Sequence, residues 1–239
     1  MNEKKFSFKK FEIYQSRCAM KVGTDSVLLG AWAHIPAQGR VLDIGAGTGI
    51  LSLMAAQRSQ CAMITAIEID SDAAQQCVEN VERSEWSDRV QVICGDFTDC
   101  NFPLDVRFEA ILSNPPFFEQ SLLSPDVART VARHTTTLTY DTIFDRTRAL
   151  ITPDGTLSMV VPADLYMRID ETAMTYGWGA SRRTLIHTTA RKPAKRVLCE
   201  WRRNHYAPCV EHHLTIHDAD GNYNKEYVEL TADFYLRLA

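Results

Sequence analysis

Between Arg40 and Val161, short apolar runs alternate with longer stretches whose apolar positions recur every three or four residues. A run that is apolar throughout and bounded by polar or turn residues suits a strand buried on both faces. A period near 3.6 suits a helix lying on the sheet. On this basis residues 40–44, 61–69, 89–94, 108–113 and 156–161 are expected strands. Residues 49–58, a stretch ending near Arg83, and residues 140–150 and 163–176 are expected helices. Pro153-Asp154-Gly155 reads as the turn that opens the fifth strand. A long polar connection runs from Glu119 to about Thr137.

After Gly177 the alternation stops. Residues 181–189 and 196–202 look like two strands with no helix between them, which predicts an antiparallel hairpin at a sheet edge. Residues 213–217 suggest one more short strand, closed by a turn at Asp220-Gly221, and 225–238 form an amphipathic segment. The expected fold is α/β, a mostly parallel seven-stranded sheet with an antiparallel edge hairpin and helices on both faces. It is read as one domain over residues 1–239, with a short N-terminal arm (1–20) and a C-terminal extension (205–239).

The 239 residues are 45% hydrophobic and 23% charged, enough to bury a core without staples. The seven cysteines include no CxxC pair, so free thiols are expected rather than a disulfide framework or a zinc ribbon. The first residues, MNEKKFSFKKFE, hold no apolar core of signal-peptide length, and no apolar run is long enough to span a bilayer. A cytoplasmic location is the expectation. The net charge of -4 removes any whole-chain basic signature, so a nucleic-acid surface would have to be local.

The first expected strand runs into Gly45-Ala46-Gly47-Thr48-Gly49, where a helical pattern begins. Glycines here allow a sharp turn and a close backbone approach to a ligand. A tight turn and an NAD site are the alternatives, but the spacing is G-x-G-x-G rather than the dinucleotide G-x-G-x-x-G, which favours a nucleoside-type ligand. Glu68, about 20 residues further on, stands where an acid can bond a ribose; it could also be an ordinary strand edge. Asp96, after the third strand, is placed to accept from an adenine amine, with Phe97 or Ile69 against the ring, or it simply forms a turn.

The fourth strand leads directly into Asn114-Pro115-Pro116-Phe117. The prolines fix the backbone and remove two N–H donors. An amine conjugated to a ring is a poor nucleophile. The Asn114 side-chain oxygen and the Pro115 carbonyl can hold both of its hydrogens, turn its lone pair toward a sulfonium methyl, and favour the charge that develops on nitrogen. Phe117 offers a face on which a flipped base can stack. A rigid strand exit is the plain alternative, but it leaves the ordered set of glycine loop, Glu68 and Asp96 without a purpose.

With these motifs the chain resembles the class I, S-adenosyl-L-methionine-dependent methyltransferases of the N6-adenine group, which are Rossmann-like. More closely, it is similar to the bacterial valine-tRNA adenine-N6 methyltransferase family. The likeness covers nearly the whole chain. It rests on Arg17-Cys18-Ala19-Met20-Lys21-Val22-Gly23-Thr24-Asp25, Leu28-Leu29-Gly30-Ala31-Trp32, the glycine loop, Asn114–Phe117, Arg133-His134-Thr135-Thr136-Thr137-Leu138, and the spacing of Tyr223, Tyr227, Leu230, Phe234 and Tyr235. Phe117 stands where the family often has Tyr. The resemblance implies methylation of the adenine on the 3′ side of the anticodon in a tRNA. It also implies that Lys21, Gly23, Thr24 and Asp25 close over the methionine end of the cofactor. Lys21 would pair with its carboxylate and Asp43 would face its ammonium. Thr24-Asp25 could equally cap a helix that starts at Ser26.

Arg182, Arg183, Arg191, Lys192, Lys195, Arg196, Arg202 and Arg203 cluster around the expected hairpin, and Lys4, Lys5, Lys9 and Lys10 interleave with Phe6, Phe8 and Phe11. Such spacing suits phosphates and unstacked bases, or else a solvated face and a frayed terminus. His212, His213 and His217 lack the partners of a convincing metal set, and no metal is expected. Two other functions fit the motifs: N5-methylation of a glutamine side chain in a protein, and a non-catalytic module that binds cofactor and RNA.

Overall fold

Apolar residues occupy both faces of the central strands in the computed structural model of the chain, so the core is built twice. The structure describes residues 5–115 and 138–237. In chain order the elements are β1 (Lys5–Ser7), β2 (Glu12–Tyr14), α1 (Thr24–Trp32), β3 (Arg40–Ile44), α2 (Ile50–Arg58), β4 (Met63–Glu68), α3 (Ser71–Glu82), β5 (Val90–Cys94) and β6 (Phe108–Ser113). Then follow α4 (Tyr140–Leu150), β7 (Ile151–Pro162), α5 (Tyr166–Thr175), β8 (Trp178–Thr189), β9 (Arg196–Arg203), β10 (Val210–His217) and α6 (Lys225–Thr231). Val41, Ile64, Ala110, Leu112, Val160 and Leu198 join the core beneath α1 and α2. Leu42, Ile67, Ile111, Leu157, Val161 and Trp201 join the core beneath α4 and α5. The period of two along each strand divides the side chains between the faces.

The main sheet has the order β10-β8-β9-β7-β6-β3-β4-β5. β3 pairs in parallel with β4 on one side and β6 on the other, so the chain reverses its direction of travel across the sheet at β3 and β6. β9 runs antiparallel between β7 and β8. The expected parallel sheet with an antiparallel hairpin is present, with eight strands rather than seven. The added strand is β10, which starts at Val210 and pairs in parallel with β8, leaving the β8–β9 hairpin one strand in from the edge. Its first four residues are exposed and carry no apolar alternation, which is why the pattern announced only its second half.

Several expected boundaries also move: β8 begins at Trp178 rather than 181, and two other shifts have a visible cause. Pro153-Asp154-Gly155 does not open β7. Ile151 already pairs with Phe108 and is 2% exposed, and residues 152–155 bulge opposite Glu109 before Thr156 pairs with Ala110. The helix expected from 163 begins at Tyr166, because the Leu165 amide turns back to the Pro162 carbonyl.

From Lys5 onward the N-terminal arm is ordered by pairing and packing, and its rings are not displayed for stacking. β1 and β2 form their own two-stranded ribbon. Phe8 and Phe11 are buried and stack on each other with centroids 4.7 Å apart. Phe6 lies 4.8 Å from Phe8, and Phe11 meets Trp86 edge-on at 6.0 Å. Phe8 bridges to Tyr235, and the Lys9 ammonium donates to the Ala232 carbonyl at 2.6 Å. The arm therefore clasps the C-terminal segment. Phe8→Ala should cost about 3 kcal/mol of stability in urea denaturation, as deletion of a buried aromatic does. A cost below about 0.5 kcal/mol, ordinary for a surface position, would show that the arm contributes nothing to the core.

Candidate active site

The reversal at β3 and β6 places the glycine loop beside the Asn114 exit. Ile44 and Ser113 are register partners, and the Ser113 hydroxyl donates to the Ile44 carbonyl at 2.8 Å. The two strand ends are thus tied together where an open α/β sheet binds its ligand. Gly45, Gly47 and Gly49 all have positive φ, at 73°, 54° and 81°, a region that side chains disfavour. Gly49 has a second constraint: a Cβ there would meet the Cys77 sulfur at 2.6 Å. A Cβ on Gly47 would meet nothing within 4 Å, so the loop presents bare backbone at that point.

Glu68 braces this loop from the end of β4. One carboxylate oxygen accepts from the Gly47 amide at 2.7 Å and the other from the Asp70 amide at 2.9 Å. Each oxygen keeps a second lone pair for a further donor. Ile69, half-buried, follows it directly. Asp96 accepts from the Thr98 amide at 2.8 Å, the bond that a turn-forming role requires. Phe97 is 3% exposed, packed in the core beneath α4, with the Arg146 guanidinium 5.5 Å from its ring.

Asp43 is fully buried. One of its oxygens accepts from the Ser52 hydroxyl at 2.7 Å, while the other is buried without a partner among the described residues. Burial pushes its carboxyl up to about 7, against the opposing Ser52 bond and helped by the nearby Glu68 charge. Asn114 has a matching feature. Its amide nitrogen donates to the Ser26 hydroxyl at 2.9 Å, and its oxygen is buried without a partner among the described residues. Pro115 is buried beside it, while Pro116, Phe117, Lys4 and the connection 119–137 lie outside the described residues.

The segment before α1 is arranged differently from the expectation. α1 starts at Thr24, with Gly23 as its N-cap and no side-chain cap bond, so Thr24-Asp25 is not the cap of a helix beginning at Ser26. Asp25 pairs instead with Arg196 at 2.9 Å, joining α1 to the start of β9. Lys21 is exposed, and its ammonium donates to the carbonyls of Gln15 and Cys18. Gly23 and Thr24 are exposed.

Much of the expected basic cluster is neutralised. Glu200, 2% exposed, holds Arg182 at 3.0 Å and Arg202 at 3.4 Å, and Arg183 pairs with Glu211. Lys5 pairs with Glu12 at 2.7 Å. Arg191, Lys192 and Lys195 remain exposed on the β8–β9 loop, at the same end of the sheet as Pro162 and the site. His213 stacks on His187 and His217 on Tyr223; among the described residues no cluster of three metal-ligating side chains exists. All seven cysteines are free. No helix among the described residues is long and apolar enough to cross a membrane.

Sequence reasoning missed Ser26, Ser52 and Asn80. Asn80, 1% exposed, donates to the carbonyls of Thr48 and Tyr14 and accepts from the Tyr14 amide, so it joins the loop to the arm. A signal did exist for two of them: Ser52 and Asn80 are polar residues on the apolar faces of α2 and α3.

A family model described as methyltransferase small domain matches residues 17–172. A Phocaeicola vulgatus protein named tRNA1(Val) (adenine(37)-N6)-methyltransferase is 44% identical over 233 residues, covering 98% of each chain. A Bacteroides fragilis protein of the same name is 41% identical over 239 residues and the full length of both chains. The chain belongs to this adenine-N6 methyltransferase family. Solved structures agree on the fold. An Agrobacterium tumefaciens protein described as a predicted O-methyltransferase superposes with a TM-score of 0.70 at 20% identity, covering 88% of this chain and 96% of that one. A methyltransferase from Pyrococcus furiosus does so with a TM-score of 0.53 at 15% identity, covering 79% and 90%.

Members of the family draw their methyl group from S-adenosylmethionine, and the residues present fit it. The partnerless Asp43 oxygen suits a buried ammonium, and the bare backbone at Gly47 leaves room for a close approach. In the folded chain Asp43 keeps its proton up to about pH 7, whereas an unfolded Asp releases it near 3.8. The folded state therefore carries an ionisation penalty above pH 7 that fades as pH falls toward the unfolded value. The ligand-free chain should gain stability as pH is lowered through that window, and Asp43→Asn should remove that gain. Denaturant midpoints of both proteins at a series of pH values check this; parallel profiles would contradict it.

Proposed function

We propose that this chain transfers a methyl group from S-adenosylmethionine to N6 of an adenine in tRNA, at adenine 37 of a valine tRNA, in the cytoplasm. The observation that carries the reading is the buried, partnerless oxygen of Asn114 at the exit of β6, beside the glycine loop. A buried acceptor without a donor is costly unless a ligand supplies one. An exocyclic amine does so.

Each residue then has a role. Asp43 faces the ammonium of the cofactor, and Lys21, Gly23, Thr24 and Asp25 line its methionine end. Gly45, Gly47 and Gly49 let the backbone approach, Glu68 bonds the ribose, and Asp96 takes the adenine amine with Ile69 or Phe97 near the ring. When bound, the cofactor supplies a methyl group on a sulfonium, already activated for transfer. The Asn114 oxygen and the Pro115 carbonyl hold the two hydrogens of the target amine and orient its lone pair. Neutral acceptors suffice for an amine, whereas an alcohol or thiol would need a general base. Phe117 and Pro116 complete the exit, with Phe117 stacking on the target base. Arg191, Lys192 and Lys195 meet tRNA phosphates. The carboxylate partners of Arg182, Arg183, Arg196 and Arg202 make those residues structural instead.

Mass spectrometry of tRNA nucleosides, from cells with and without this chain, tests the reading: N6-methyladenosine should disappear from valine tRNA with the chain. An unchanged tRNA pool alongside a lost glutamine methylation would favour the protein substrate. Asn114→Ala should slow single-turnover methylation on the order of 10²-fold while leaving S-adenosylhomocysteine affinity nearly intact. Reversing Arg191, Lys192 and Lys195 to Glu should weaken tRNA binding and flatten its dependence on salt, by about 0.7 in log–log slope for each single-strand phosphate no longer neutralised. Cofactor binding should not respond to that change.

A further inference from the structure

The same geometry assigns a positioning role to a residue outside the motifs. We infer that the Ser26 hydroxyl, with Met20, holds the Asn114 amide so that its oxygen rather than its nitrogen faces the substrate amine. The inference rests on the function proposed above and names what makes its key acceptor available.

An asparagine side chain presents an acceptor and a donor that are nearly equal in shape. Turned one way, Asn114 accepts from the target amine. Turned the other way, it sets its own N–H against the amine hydrogens and blocks transfer. Nothing within Asn114 chooses between the two, so its surroundings must. Its nitrogen lies 2.9 Å from the Ser26 oxygen and 4.0 Å from the Met20 sulfur. A hydroxyl can donate or accept, so Ser26 fixes the position and plane of the amide. A thioether can only accept, so Met20 biases which end points back toward α1. The result is the observed arrangement, with the nitrogen held and the oxygen buried without a protein partner.

Ser26 is itself well placed to act as a fixed post. It is 6% exposed and sits in the first turn of α1, and its neighbour Asp25 is tied to Arg196 at 2.9 Å. α1 is thereby anchored to β9 on one side and to the exit of β6 on the other. Asn114 itself has little freedom in its backbone, since it follows a strand and precedes two prolines. The torsion left to be set is that of the side chain, which Ser26 reaches.

The experiment compares wild type, Ser26→Ala and Ser26→Thr, each alone and with Asn114→Ala. The readouts are single-turnover methylation of transcribed valine tRNA, tRNA affinity and S-adenosylhomocysteine affinity. Ser26→Ala should lower the methylation rate about tenfold, the value of one hydrogen bond, with both affinities unchanged. Ser26→Thr, which keeps the hydroxyl, should recover most of the rate. In the Asn114→Ala background, Ser26→Ala should have no further effect, because the amide it positions is gone. The Asn114 side-chain amide signals in NMR should also shift in Ser26→Ala. If Ser26→Ala methylates as fast as wild type, or slows the Asn114→Ala protein by the same factor, the positioning role is overturned while the function stands. If wild type itself transfers no methyl group to tRNA, both are overturned.

Discussion

The parallel pairing of β3 with β6 governs the rest of the site. Because β4 and β5 lie on one side of β3 and β6 on the other, the loop leaving β3 and the loop leaving β6 diverge from adjacent strand ends. Backbone groups there have no further ladder to join, so they are available to a ligand. The Ser113 hydroxyl, bonded to the Ile44 carbonyl, ties the two ends together. The groups proposed for the cofactor and the target amine lie at the ends of β3, β4, β5 and β6, on the loops that leave them, or at the start of α1 and the segment leading into it, whereas the residues proposed for tRNA phosphates lie on the β8–β9 loop.

Around that junction the polar groups are arranged unevenly. Glu68, Asn80 and Ser52 are buried and satisfied: Glu68 by backbone amides, Asn80 by the arm and loop, Ser52 by Asp43. Glu68, through the Gly47 amide, and Asn80, through the Thr48 carbonyl, hold the glycine loop in a backbone conformation that side chains would resist. Asp43 and Asn114 each keep one buried oxygen without a partner. Other buried polar atoms among the described residues also lack a partner, those of Thr156 and Ser158 for example, but these two oxygens are the ones at the ends of β3 and β6, the proposed meeting point of cofactor and target amine.

The outer parts of the chain serve this centre indirectly. The arm packs its aromatic rings into the core with Tyr235 rather than presenting them to a partner, and Asn80 links it to the loop. The arginines of the β8–β9 hairpin are mostly held by Glu200, Glu211 and Asp25. Among the described residues Lys9, Lys10 and Arg203 also lack a carboxylate partner, but the basic groups at the site end of the sheet are those of the exposed β8–β9 loop. This is a small basic surface, in keeping with a chain of net charge -4.

Strand and helix periods, the glycine spacing and the Asn-Pro-Pro exit were legible in the chain because they are local. A strand buried on both faces is mostly apolar, a positive φ favours glycine, and a proline has no N–H to give a ladder. From these came the α/β sheet, its antiparallel hairpin and the glycine-rich turn after β3. The pairings between distant residues were not legible. Whether Arg196 meets a phosphate or Asp25, whether Phe8 stacks on a base or on Phe11, and whether β10 joins the sheet all depend on which surfaces packing brings together. No spacing along the chain encodes that. The same holds for Ser26 and Asn114, 88 residues apart, whose hydrogen bond exists only because α1 lies against the end of β6.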